Sequence, residues 1–180
     1  MLSRRLTSLV VGSGLMLCVT GTAQASLITS AGGIGSPTVI GFQQFDIGSY
    51  TFTSGPTQVG GLVGEDVVFT AVGYYPGLGG GSYGLGDNGY WTDPLGPGGR
   101  DGFAFINNGG TSMTFTFNDS PVNTVGAFMN YCPGCSGGVA RIEALDGNGL
   151  VLEGYDIETL APISTPGGVN AGAFRGISRA

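Results

Sequence analysis

The sequence predicts an all-β fold, an antiparallel β-sandwich or jelly roll, and three observations carry that prediction. Short runs of alternating or β-branched residues recur along the chain, each bounded by Gly, Pro, Asn or Asp, which is the pattern of strands separated by turns. No amphipathic stretch longer than about three helical turns follows residue 25. The chain holds 37 glycines yet keeps 41% apolar and 10% aromatic residues; this is enough apolar material for a core and unlike a disordered composition.

Met1 to Ala25 has a basic start (Arg4, Arg5), an apolar middle from Leu9 to Val19, and a small-x-small ending, Ala23-Gln24-Ala25. This is the pattern of a signal peptide cut before Ser26. Gly12, Ser13 and Gly14 interrupt an apolar run too short for an anchor, so no membrane span is expected after cleavage. Thr7 and Ser8 stand where a twin-arginine signal is apolar. Leu17 stands where a lipoprotein signal has a small residue before its cysteine, here Cys18. The general secretory route is expected, with a secreted, periplasmic or cell-envelope destination. Residues 26–37 read as a flexible lead-in and 38–180 as one β-sandwich domain. Past the signal, twelve acids against four arginines (Arg100, Arg141, Arg175, Arg179) leave a net charge of −8. A nucleic-acid partner needs a basic patch, and none is present.

Thr38 to Phe42 reads as a first strand. Gly48 to Thr53 is a second, with Tyr50 and Phe52 on one face, and Asp66 to Val72 a third. Gly73 to Gly102 then reads as one long Gly- and Pro-rich loop, a length that is usually functional or mobile. Phe103 to Ile106 restores a strand, Asn107 to Gly110 turns it, and Met113, Phe115 and Phe117 face the core while Thr114 and Thr116 face solvent. After a turn at Asn118 to Pro121 comes Val122 to Tyr131, with Val125, Ala127 and Met129 on one face. Cys132-Pro133-Gly134-Cys135 fits a type II turn, and an even cysteine pair in an exported chain fits a disulfide. Val139 to Leu145 and Leu150 to Ile157 form a hairpin closed by Asp146-Gly147-Asn148-Gly149. A Pro-containing loop, Thr159 to Gly168, leads to a last strand at Asn170 to Ile177.

The chemistry is bounded by what the chain lacks. With no His, the usual Ser-His hydrolase is excluded; with no Lys, so is Schiff-base chemistry. Two carboxylates about 5–9 Å apart could still cleave a glycoside, and Glu65, Asp87, Asp93, Asp101, Glu143 and Glu153 are available. Acids beside glycine more often serve turns. A redox CxxC usually opens a helix, whereas this one lies between strands, and zinc would need two more soft ligands. Calcium is the one cofactor left open, with Asp146 and Asn148 as weak metal candidates and Asp87, Asn88 and Asp93 as a second oxygen-rich group. The aromatic loop is the leading candidate site. Tyr74, Tyr75, Tyr90 and Trp91 can stack on sugar faces, with Asp87, Asn88 and Asp93 as polar partners. Against this, the same rings can cover an open end of the sandwich.

Thr114-Phe115-Thr116-Phe117, Ser120-Pro121-Val122, Val125-Gly126-Ala127-Phe128 and the hairpin Glu143 to Leu150 together resemble the core of exported bacterial β-sandwich proteins of the PEP-CTERM, exosortase-associated type. The pattern extends over residues 38–177, and the specific matching over 114–152. The sandwich expected is galactose-binding-like or concanavalin-like. The resemblance also implies a further strand with an Asp-Asp or Asp-Asn pair, then a sorting tail; neither follows Ile177, so the expectation is either a truncated sandwich lacking its last strand or a variant that is released rather than sorted. The function expected is that of a non-enzymatic envelope or matrix protein, binding polysaccharide through residues 73–102. A carboxylate-dependent glycan-active enzyme and a purely structural surface protein are the alternatives.

Overall fold

The computed structural model describes residues 25–92, 102–119, 121–135, 138–170 and 172–179. The strands are β1 (Ala25–Ile28), β2 (Tyr50–Phe52), β3 (Thr57–Gln58), β4 (Val67–Gly79), β5 (Ser82–Gly84), β6 (Tyr90–Thr92), β7 (Phe103–Phe117), β8 (Thr124–Met129), β9 (Arg141–Leu145) and β10 (Val151–Asp156). A one-turn helix α1 (Ile157–Leu160), β11 (Val169–Asn170) and β12 (Ala173–Arg179) follow. The protein is all-β and its pairings are antiparallel, with β6–β11 the parallel exception. Among the described residues no helix is long and apolar enough to cross a membrane.

The largest sheet is built on β4 and β7, which pair from Val67 opposite Phe117 to Gly79 opposite Phe103. β3 and β2 share the other edge of β4. Val67, Phe69 and Ala71 alternate onto one face, beside Phe117, Phe115 and Met113 of the partner strand. With Val59 and Leu78 they form the core, on which Ile40, Phe42, Phe45, Ala104 and Ile106 pack. Phe69 is fully buried, worth about 1.5–3 kcal/mol. Phe115 and Phe117 face this core as expected, but Met113, at the rim, is 40% exposed.

The expected loop from Gly73 is the main correction. β4 continues through it to Gly79, and β5 and β6 form a hairpin within it. The physical reason lies in the neighbours. Gly77 stands between Phe52 of β2 and Phe105 of β7, and Gly79 between Tyr50 and Phe103. A Cβ on Gly77 would lie 2.7 Å from the Phe105 ring and 2.8 Å from the Thr51 carbonyl oxygen. Rings from both flanking strands therefore close over a central strand that has no side chains at these positions. Tyr50 and Phe105 meet at 5.0 Å, and Phe52 and Phe105 at 5.9 Å, both edge to face. Such pairs add about 0.5–1.5 kcal/mol each beyond their burial, and flanking rings are known to rescue strand glycines.

Other expectations shift for local reasons. Asn107 to Gly110 does not end the strand; β7 continues through it, but advances five residues against two of β4 between the pairs Asn107–Tyr74 and Ser112–Val72. Thr38 to Phe42 is no strand, because Phe42 adopts a left-handed φ of 56° that ends an extended run; its ring packs on Phe115 at 6.1 Å instead. The expected lead-in is partly a strand, since Ser26, Leu27 and Ile28 pair with Ser178, Ile177 and Gly176. In the β1-β12-β8 sheet, Val125 and Ala127 are exposed rather than core-facing. There Phe174 lies over Gly126 and meets Phe128 at 5.5 Å.

The β9–β10 hairpin is closed as expected. Asp146 accepts from the backbone of Asn148 and Leu150 at 2.8 and 2.9 Å, and Gly149 takes a φ of 81°. Asp156 caps α1 by accepting from Thr159 N–H. The segment after α1 is held by Arg175, which is buried yet donates to the carbonyls of Ala161, Pro162 and Phe174.

Candidate functional site

Tyr74 and Tyr75 are presented by a double irregularity of the β4–β7 pairing, the first with its extra residues on β7 and the second with one on β4. The register with β7 shifts between Val72 and Tyr74 and again between Tyr74 and Gly77. Bulges of this kind re-aim side chains and occur preferentially beside functional sites. Tyr75 has a φ of 45°, a left-handed conformation that costs a non-Gly residue about 1–2 kcal/mol. The outcome is outward display: Tyr74 and Tyr75 are 58% and 53% exposed, and Phe52 of β2 is 58% exposed.

The three rings form one group. Tyr74 and Tyr75 lie 4.2 Å apart at 68°, and Phe52 and Tyr75 lie 5.7 Å apart at 64°. Beside them is an open cleft of about 330 Å³ lined by Phe52, Thr53, Ser54, Gly73, Tyr75 and Pro76. Thr53 is fixed there: its N–H donates to Pro76 O, and its hydroxyl accepts from Gly55 N–H. The Tyr74 hydroxyl is pushed above its ordinary value of 10.0, first by its hydrogen bond with Tyr75 and then by desolvation. It therefore stays neutral, able to donate and accept, across the physiological range.

The other expected residues do not join this group. Trp91 is half-buried, opposite Tyr83 in the β5–β6 hairpin and 6.1 Å from Phe103. Its indole edge fills the space where a Cβ on Gly172 would sit. The indole nitrogen and the Tyr83 hydroxyl are buried without partners among the described residues. Asn88 is 3% exposed and ties three segments together: it donates to Asn130 Oδ1 at 2.6 Å and to Tyr131 O, and accepts from Thr165 N–H at 2.8 Å. It is a packing hub, not a sugar contact. Asp87 is exposed on the 86–88 turn and Tyr90 is 42% exposed on β6. Asp93 lies outside the described residues. A train of rings, Trp91–Phe103–Phe105–Phe52–Tyr75, links the two regions through the sheet.

Phe52 is the residue that sequence reading assigned to a half-buried strand face. Its signal was available: Tyr50/Phe52 and Phe103/Phe105 share a two-residue spacing with Gly77/Gly79, as rings flanking a glycine strand must.

Cys132 and Cys135 are joined, with Cα atoms 5.4 Å apart. The turn closes through Cys135 N–H to Cys132 O, and Gly134 takes a φ of 69°, as the type II reading requires. The sulfurs pack against Gly86, next to the turn that carries Asn88. Asp146 uses its carboxylate to cap its own turn, which holds it below the ordinary value of 3.8, chiefly through the Leu150 and Asn148 N–H groups. Among the described residues no three Asp, Glu, Cys or His side chains gather as metal ligands, and no carboxylate lines the cleft.

No protein-family model, no curated protein and no solved structure matches the chain.

Proposed function

We propose that this is an exported, non-enzymatic carbohydrate-binding protein that holds extracellular polysaccharide on Tyr74, Tyr75 and Phe52. One observation carries the reading: three contiguous rings stand exposed where the β4–β7 pairing is irregular and Tyr75 is strained. Backbone strain of this kind persists only where surrounding structure imposes it, and it concentrates at ligand sites. Packing alone gives no reason for it, since the rings are turned away from the core. Phenol and phenyl faces suit the C–H faces of sugars, and phenol hydroxyls suit their oxygens.

The signal pattern of residues 1–25, the Cys132–Cys135 disulfide and the resemblance to exosortase-associated proteins support a location outside the cytoplasm. A cleft with no carboxylate among its described lining residues supports binding over glycoside cleavage, which needs two acids at the bond.

Polysaccharide pull-down tests the assignment. Wild type and Tyr90→Ala should both be retained, while the Tyr74→Ala/Tyr75→Ala double variant should pass through with its thermal midpoint unchanged. Undiminished retention of the double variant would sink the site.

A further inference from the structure

Resting on that reading, the site's charge and ring geometry narrow the kind of glycan it takes. Consider charge first. The chain has no Lys, and among the described residues no Arg lines the cleft. Of the described arginines, Arg141 is paired with Glu143 at 3.2 Å. Arg175 is spent on three carbonyls, and Arg179 lies on β12, in another sheet. Nothing described near the rings would offset the charge of a uronic-acid or sulfated chain, and a chain with twice as many acids as bases repels a polyanion. The polar groups at hand are neutral hydroxyls: Thr53, Ser54, Tyr74 and Tyr75.

The ring planes make the second selection. The flat face of a crystalline polysaccharide presents many parallel chains at one level, and several rings can stack on it together only when they are coplanar. Here Tyr75 is inclined at 68° to Tyr74 and at 64° to Phe52. If Tyr75 lies flat on such a surface, Tyr74 and Phe52 stand on edge, so the three cannot stack on it together. Mutually tilted rings beside an open cleft instead contact different sides of one strand. The cleft, at about 330 Å³, sits at the low end of the range for ligand pockets, about 300–1,000 Å³.

We infer that the ligand is a neutral, soluble glycan, bound one chain at a time in the cleft beside the tilted rings of Tyr74, Tyr75 and Phe52.

Native affinity electrophoresis tests this with the full mature chain, in gels containing mixed-linkage β-glucan, glucomannan or dextran as neutral probes. Alginate and polygalacturonate serve as anionic probes, and sedimentation with cellulose and chitin powders covers crystalline faces. The informative variant is Tyr75→Gly. It removes the ring while placing at φ 45° the one residue that occupies that region freely, so its thermal midpoint should hold or rise. Tyr74→Ala is the second variant and leaves the strained residue intact. At least one neutral soluble glycan should retard wild type, and Tyr75→Gly should weaken that binding about tenfold or more, a loss on the scale of one aromatic contact. Ring-dependent binding seen only with the anionic probes or the powders overturns this inference but leaves carbohydrate binding standing. No binding to any probe overturns both. Neutral-glycan binding that both variants retain in full overturns the site.

Discussion

Replacing Gly77 by Ala tests whether the glycine-rich stretch is a strand that rings have closed over. Two opposing terms set the magnitude. Ala in place of Gly reduces unfolded-state freedom and gains about 0.5–1 kcal/mol where the backbone tolerates it. Against this, the new methyl would meet Phe105 Cζ at 2.7 Å, Phe105 Cε1 at 3.0 Å and Thr51 O at 2.8 Å. Phe105 is 5% exposed and boxed in by Tyr83 at 4.7 Å, Tyr50 at 5.0 Å and Phe52 at 5.9 Å, so its ring has nowhere to swing. The carbonyl belongs to the paired strand β2 and moves only if the sheet opens. Overpacking of this kind costs about 1–3 kcal/mol or more, so the net loss should be about 1–2 kcal/mol. Gly84→Ala in β5 is the control, because a Cβ there meets nothing within 4 Å; it should be neutral or slightly stabilising. Urea unfolding followed by the single tryptophan, Trp91, reads the difference. With m of about 1–3 kcal/mol/M, the Gly77→Ala midpoint should fall by about 0.5–1 M. Equal midpoints for the two variants would refute the ring-over-glycine account and return residues 73–79 to a tolerant loop.

Two further outcomes concern the rest of the chain. Asn88→Ala removes the buried amide shared by Asn130, Tyr131 and Thr165; calorimetry should register a loss of about 1–3 kcal/mol, and an unchanged midpoint would deny Asn88 its hub role. Asp146 has a folded-state value depressed below 3.8, so its stabilising effect is fully present above that pH and fades as pH falls through the depressed value. Asp146→Asn should therefore be less stable than wild type at pH 7 and show a shallower decline in stability below about pH 4; an acid limb as steep as wild type would refute the carboxylate's part in it.

The hairpin and the disulfide turn were legible because their signals are local. Asp146-Gly-Asn-Gly and Cys-Pro-Gly-Cys each carry the backbone requirement within four residues, and Gly149 and Gly134 take the positive φ values that those turns need. The alternation of Val67, Phe69 and Ala71 was legible for the same reason. Strand β4 beyond Val72 was not. What keeps Gly77 and Gly79 extended is supplied by Tyr50, Phe52, Phe103 and Phe105, residues about 25 positions away on either side, and local propensity scores such a stretch as loop. The strained Tyr75 could not be foreseen either, since its positive φ falls within a register shift against a distant strand. The site thus shrank from a broad aromatic loop to one end of it. Trp91 and Asn88, attractive by residue type, turned out to be absorbed in packing.

The pairing of β1 with β12 also sets an order of events. Ala25 to Ile28 find their partners only in residues 176–179, and β8 likewise waits for β12. That sheet is thus assembled from segments about 150 positions apart along the chain, and the closure of so long a loop is slow. A ribosome adds roughly 5–20 residues per second, so the first described strand waits about 7–30 s for its partner to be made. The β2-β4-β3 sheet with β7 draws only on residues 50–117 and needs no such wait, so the core around Phe69 can form before the sheet that joins the two ends of the described chain.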